Sequence, residues 1–163
     1  MNSLAIFGAQ YLVFIIALIG FIYFLNQPRD KQKSMVIFAC ITLPITYLIS
    51  FIASHLYYNP RPFISEHIVP LITHKDNNGF PSDHTLLSAA IAVIILYANR
   101  TWGLILFALA VIVGVSRVYV GVHHLVDIIA SLVIAILGGC LAWFFRSRLQ
   151  NKPSSSIMPP INQ

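Results

Sequence analysis

The chain has 163 residues, of which 58% are hydrophobic and only 9% charged, against roughly 25% charged in an ordinary soluble domain. With a mean hydropathy of +0.80, these values exclude a disordered chain, a collagen-like rod, a disulfide scaffold and a typical water-soluble globule. The net charge of +5 fits basic cytoplasmic loops of a membrane protein, and nucleic acid is not expected as a partner.

A helix that crosses lipid needs about 20 apolar residues. Five stretches meet or approach that length: residues 4–25, 35–57, 83–98, 102–117 and 122–145. The first has no basic segment before it and no small-residue cleavage site after it, so it reads as a retained span rather than a signal peptide. Cys40 and Cys140 lie inside apolar runs and read as small buried hydrophobes, not as a disulfide or metal pair. The third and fourth stretches are short. Each adjoins a polar cluster, Pro81-Ser82-Asp83-His84 before the third and Ser116-Arg117 after the fourth. A helix end stops below the membrane surface where it lines a wet, protein-walled cavity. The expected fold is all-α, a polytopic membrane helical bundle of about five transmembrane helices with the site at their outer ends. Residues 1–148 read as one transmembrane domain, and 149–163, rich in Ser and Pro, as a disordered cytoplasmic tail. Nothing in the composition fixes an oligomeric state.

Charge sets the expected orientation. Arg29, Lys31, Lys33, Arg100, Arg146, Arg148 and Lys152 are seven of the ten basic residues, and five alternating spans put all seven on one side. The positive-inside rule makes that side cytoplasmic, with the N-terminus outside and the C-terminus inside. All six histidines (His55, His67, His74, His84, His123 and His124) and four of the five acids (Glu66, Asp76, Asp83 and Asp127) then fall on or near the outer side. Loop polarity accounts for His67, His74, Lys75 and Asp76. It does not account for Arg61, His84, Arg117, His123 and Asp127, which sit at span ends where a charge must find a partner or water.

Pro81 suits the first turn of a helix, and Ser82 and Asp83 are capping residues. The helix start they announce offers free N–H groups and a positive dipole end, an anion site. Arg61 and Arg117 add guanidinium forks that match phosphate oxygens and stay ionised. The expected ligand is a phosphate. His123 and Asp127, four apart, share one face of the fifth helix; the carboxylate accepts from Nδ1 and leaves Nε2 as a free lone pair, the arrangement of an activated nucleophile or base. His84 supplies a second imidazole. A zinc site from His84, His123, His124 and Asp127 is the competing reading, but two arginines aimed at the same spot repel the ion, and no metal or other cofactor is expected. His124 reads as a wall residue and Asp76-Asn77-Asn78-Gly79 as a turn at the rim. Tyr57, Tyr58 and Tyr119 read as interfacial aromatics.

Arg-Pro, then Pro-Ser-x-His, then Ser-Arg-x5-His-x3-Asp, in that order over residues 54–127, resembles the type 2 phosphatidic acid phosphatase superfamily of membrane lipid phosphatases. The resemblance implies a metal-independent phosphohistidine mechanism. By it, His123 is the nucleophile, Asp127 its orienting carboxylate and His84 the general acid, while Arg61, Arg117, Ser82 and the backbone near Asp83 hold the phosphoryl group. Two positions depart from the usual pattern. Ser54, followed by His55, stands where the family has Lys, and Asp83 stands where it has Gly. Phe80-Pro81-Ser82-Asp83-His84-Thr85 is similar to the bacterial undecaprenyl pyrophosphate phosphatases of that superfamily, whose members commonly have six spans. The resemblance therefore implies an undecaprenyl-diphosphatase in a bacterial inner membrane, its site facing the exterior, with a lipid pyrophosphate and membrane lipids as partners. Phosphatidic acid, phosphatidylglycerol phosphate and lipid A are the alternative substrates. A non-catalytic lipid-phosphate binder or transporter is the reading from another class; it needs the arginines but not a His–Asp pair beside a second His.

Overall fold

The computed structural model describes residues 2–150. Its elements are α1 (Asn2–Gln10), α2 (Leu12–Leu25), α3 (Arg29–Leu56), the single turn α4 (Pro62–Ser65), α5 (Asp83–Ala98), α6 (Arg100–Tyr119) and α7 (Leu125–Gln150), with no strand among the described residues. α3, α6 and α7 are each long and apolar enough to cross a bilayer, α1 and α2 make a fourth such unit across a 51° bend, and α5 is a shorter apolar helix. Residues 151–163, read above as part of the tail, lie outside the described residues.

The burial pattern is that of a membrane protein. Phe21, Tyr47, Leu48, Val115, Ile129 and Trp143 are exposed around the outside, whereas Thr42, Thr46, Ser50, Ser88 and Ser131 are buried between helices. Lipid tails are as apolar as leucine, so helices associate through small and hydroxyl residues and turn bulky apolar ones outward. Cys40 and Cys140 follow the outward rule: both are exposed on the apolar flank rather than buried as expected.

Three boundaries differ from the hydropathy pattern. The first apolar stretch is broken at Tyr11. α3 starts before its apolar run: Pro28, with φ preset, sits at the N-cap and Asp30 lies in the first turn, and Arg29, Lys31, Gln32 and Lys33 are good helix formers. α7 starts at Leu125, so His123 precedes the helix instead of lying on it, and the helix continues through residues 149–150.

α5 is the hub. On one level Ile16, Met35, Ala92, Ile95, Leu106 and Val113 form a core, and on another Leu86, Ala89, Ala110, Ile134 and Ala135 do so. α5 and α6 reverse direction through Asn99 alone, whose side chain caps α6 by accepting from the Trp102 N–H at 3.0 Å. That tight antiparallel pair brings the start of α5 beside the end of α6. Gly121, at φ +80, then turns the chain between α6 and α7, a conformation that side chains resist. Three stretches distant in sequence thus meet at one end of the bundle.

Candidate active site

His123 lies at the centre of that end. Its Nδ1 is 3.3 Å from Asp127 Oδ2. Its Nε2 is 3.1 Å from an Arg61 guanidinium nitrogen and 3.2 Å from one of Arg117. A carboxylate only accepts and a guanidinium only donates, so the partners select one tautomer: hydrogen on Nδ1, lone pair on Nε2. Burial pushes the imidazole down to about 4; the Asp127 hydrogen bond opposes that shift, and the charges of Arg117 and Arg61 add to it. The ring is neutral at pH 7.

Asp127 is held by α7 itself. It stands at the third helical position, and its Oδ2 accepts from the His124 N–H at 2.8 Å, the reaching-back arm of a capping box. Its Oδ1 accepts from Asn59 Nδ2 at 2.8 Å. The carboxylate is fully buried and lies at the favourable end of the helix dipole.

Arg61 and Arg117 are 4% and 2% exposed, which rules out snorkelling to headgroups. Arg61 is clamped: Nε donates to Asn77 Oδ1 at 3.0 Å and a terminal nitrogen donates to the Val122 carbonyl at 2.9 Å. Burial lowers its pKa, with Asp127 and Asp83 pulling the other way. Arg117 donates to the Ala9 carbonyl at 3.2 Å. That carbonyl belongs to the last turn of α1, where the break at Tyr11 leaves backbone acceptors without an intrahelical donor. The bend in the first apolar stretch thus serves the site.

The start of α5 departs from expectation in two ways. Pro81 precedes the N-cap instead of opening the helix, and Ser82, at the N-cap, makes no side-chain cap. Ser82 is fully buried; its Oγ accepts from Thr85 Oγ1 at 3.2 Å and its N–H donates to Ser131 Oγ at 2.9 Å. Ser131 Oγ also lies 2.7 Å from the Asp127 carbonyl, so one buried hydroxyl ties α5 to α7. Asp83 and His84 follow at the first two helical positions, whose N–H groups have no intrahelical acceptor. His84 is half-buried, and its basic neighbours are Arg117, His74 and Arg61. Asp83 is exposed and acts electrostatically on both arginines.

His124 Nε2 donates to the Pro60 carbonyl at 3.1 Å and anchors the α4 segment. Ser54 and His55 stay away from the arginines, bonded to the Phe51 carbonyl. Sequence reasoning missed Asn59, Asn77, Asn78, Ser131 and His74. Asn78 accepts from the Asn59 and Phe80 amides, both at 3.0 Å, and donates to the Ser54 carbonyl at 2.9 Å; the stretch read as a rim turn is the bracket of Arg61. The His74 ring lies 6.2 Å from that of His123, centroid to centroid. An apolar groove of about 320 Å³ between α2, α3 and α5, lined by Gly20, Phe24, Met35 and Ile91 among others, shares no residue with this cluster and carries no reactive group.

Comparison with known proteins identifies the family. The chain is 36% identical over 148 residues to undecaprenyl-diphosphatase BcrC of Bacillus subtilis, covering 90% of this chain and 74% of that protein. It is 34% identical over 143 residues to the putative undecaprenyl-diphosphatase YbjG of Escherichia coli, covering 87% and 71%. Its fold matches the crystal structure of a transmembrane PAP2-type phosphatidylglycerolphosphate phosphatase from Bacillus subtilis, with a TM-score of 0.62, 24% identity, and 93% and 77% of the two chains covered. The PAP2 superfamily pattern matches residues 35–151. The chain therefore belongs to the PAP2 superfamily and is a membrane phosphatase.

Proposed function

We propose that this protein removes the terminal phosphate of a polyprenyl pyrophosphate, undecaprenyl pyrophosphate in the first place, through a phosphohistidine at His123 and without a metal. The observation that carries the reading is the environment of His123 Nε2: one lone pair faced by two guanidinium groups, with Asp127 behind the ring. The substrate rests on the two undecaprenyl-diphosphatase relatives and on the sequence Phe80–Thr85.

In this reading Arg61, Arg117 and the first-turn amides of α5 hold the phosphoryl oxygens, so that charge developing in flight meets fixed donors. Nε2 attacks the terminal phosphorus, the bond to the bridging oxygen breaks, and His84, which takes up a proton from water as the pyrophosphate anion enters beside it, delivers that proton to the bridging oxygen. Lipid monophosphate leaves. His84, now neutral, takes a proton from water; the oxygen attacks phosphorus, the N–P bond breaks, and phosphate departs with His123 neutral again. Asp127 stabilises the imidazolium character that forms on the ring. Ser82, sealed by Thr85 and Ser131, fixes the start of α5, and Asp83 offsets part of the charge of the two arginines. Two cations at the phosphate position disfavour a metal ion there. The basic residues at the opposite end orient the site outward from a bacterial inner membrane.

The test is phosphate release by purified protein. Undecaprenyl pyrophosphate is hydrolysed with or without EDTA, in preference to phosphatidic acid, phosphatidylglycerol phosphate and lipid A, and His123→Asn abolishes release while remaining folded. Turnover by His123→Asn, or loss of activity with EDTA, overturns the mechanism.

A further inference from the structure

The loop between α4 and α5 contains an imidazole that the mechanism above does not use. It is pinned on both sides. Before it, the Leu71 N–H donates to the Val120 carbonyl at 2.9 Å, and Ile72 is buried with Ala9, Val120 and Val122. After it, Asn77 accepts from Arg61, and the Gly79 N–H donates to the Asn59 carbonyl at 2.9 Å. His74 lies between these anchors, half-buried, its ring edge-on to that of His123 at 75°. Its Nδ1 is 3.3 Å from the Lys75 carbonyl oxygen, which only accepts, so Nδ1 carries hydrogen and Nε2 is the uncommitted nitrogen.

We propose that His74 is a phosphate-binding residue, its Nε2 hydrogen-bonding a phosphoryl oxygen of the group held between Arg61 and Arg117. The proposal rests on the reading of His123 as the nucleophile, because a phosphoryl group on its Nε2 stands beside the neighbouring ring. The facing charges are Arg61 before α4, Arg117 at the end of α6, and Asp83 at the start of α5; the facing imidazoles are His84 and His123. Burial and Arg61, then Arg117, hold His74 below the ordinary imidazole value, against the Lys75 carbonyl and Asp83. A pyrophosphate anion among these groups reverses the balance. The ring then takes up a proton and donates it in the hydrogen bond.

The experiment uses the full chain in detergent, with inorganic pyrophosphate as the probe, measured as a competitive inhibitor. Proton uptake on binding is measured near pH 7 by calorimetry in two buffers of different ionisation enthalpy. His74→Phe keeps a ring against the loop, and His74→Gln keeps a polar group should the first variant fail to fold. The expected result is pyrophosphate affinity weakened about tenfold to a hundredfold, together with less proton uptake than in the parent. Unchanged affinity overturns the proposal. So does weakened affinity with the parent's proton uptake, since a merely structural loop residue gives that pattern. His123→Asn, assayed for turnover in parallel, separates the two claims: turnover by that variant removes the nucleophile, whereas an inert His123→Asn beside a parent-like His74→Phe removes only His74.

Discussion

Asn59 shows how much of this site depends on side chains that do no chemistry. Its amide donates to Asp127 Oδ1, and its own N–H is held by Asn78, so the carboxylate behind His123 is fixed from two sides, by α7 and by the segment before Arg61. A hydrogen bond to a charged group contributes roughly 1.5–3 kcal/mol. Asn59→Ala is therefore expected to lower kcat by about tenfold to a hundredfold while the protein stays folded, read in steady-state assays with the native lipid; a kcat equal to the parent's contradicts the role. Arg61, Arg117, His84, His123 and Asp127 were legible because their spacing follows from chemistry that charged groups at span ends must do. Asn59, Asn77, Asn78 and Ser131 were not. Uncharged side chains that bracket backbone look like loop or helix-surface polarity until the chain folds, and His74 was assigned to loop polarity for the same reason.

At the level of elements, helix ends carry the design. The last turn of α1 gives Arg117 a carbonyl, the first turn of α7 holds Asp127, and the first turn of α5 presents open amides. The α1–α6 contact depends on Gly8, since a Cβ there runs into the Ser116 hydroxyl. Gly8→Val is expected to push α1 off α6, draw the Ala9 carbonyl away from Arg117, and lower both thermal stability and pyrophosphate affinity. A variant that melts and binds like the parent contradicts that coupling. The five apolar stretches announced the helices, but not the break at Tyr11, which falls in a run with no proline and leaves α1 packed on α6. Nor did they announce the start of α7: a four-residue spacing suits both a helix face and a residue reaching back to the preceding loop. His123 uses the second arrangement.

For the molecule as a whole, membrane embedding follows from greasy outer flanks around hydroxyl-lined interfaces, and the proposed outward orientation follows from the distribution of Lys and Arg. Val69, 91% exposed in the loop beside the site, gives a direct check. With Cys40 and Cys140 replaced by Ala, Val69→Cys is expected to react with a membrane-impermeant maleimide added to intact spheroplasts. Labelling only after lysis inverts the topology.

In the proposed reaction phosphorus passes through Nε2 of His123, and rapid quenching with substrate labelled in the terminal phosphate would trap it there. The expected result is a label bound to the protein that is stable in alkali, lost in acid, located at His123 by peptide mapping, and absent from His123→Asn. Turnover with no protein-bound label, or a label that persists in His123→Asn, contradicts it.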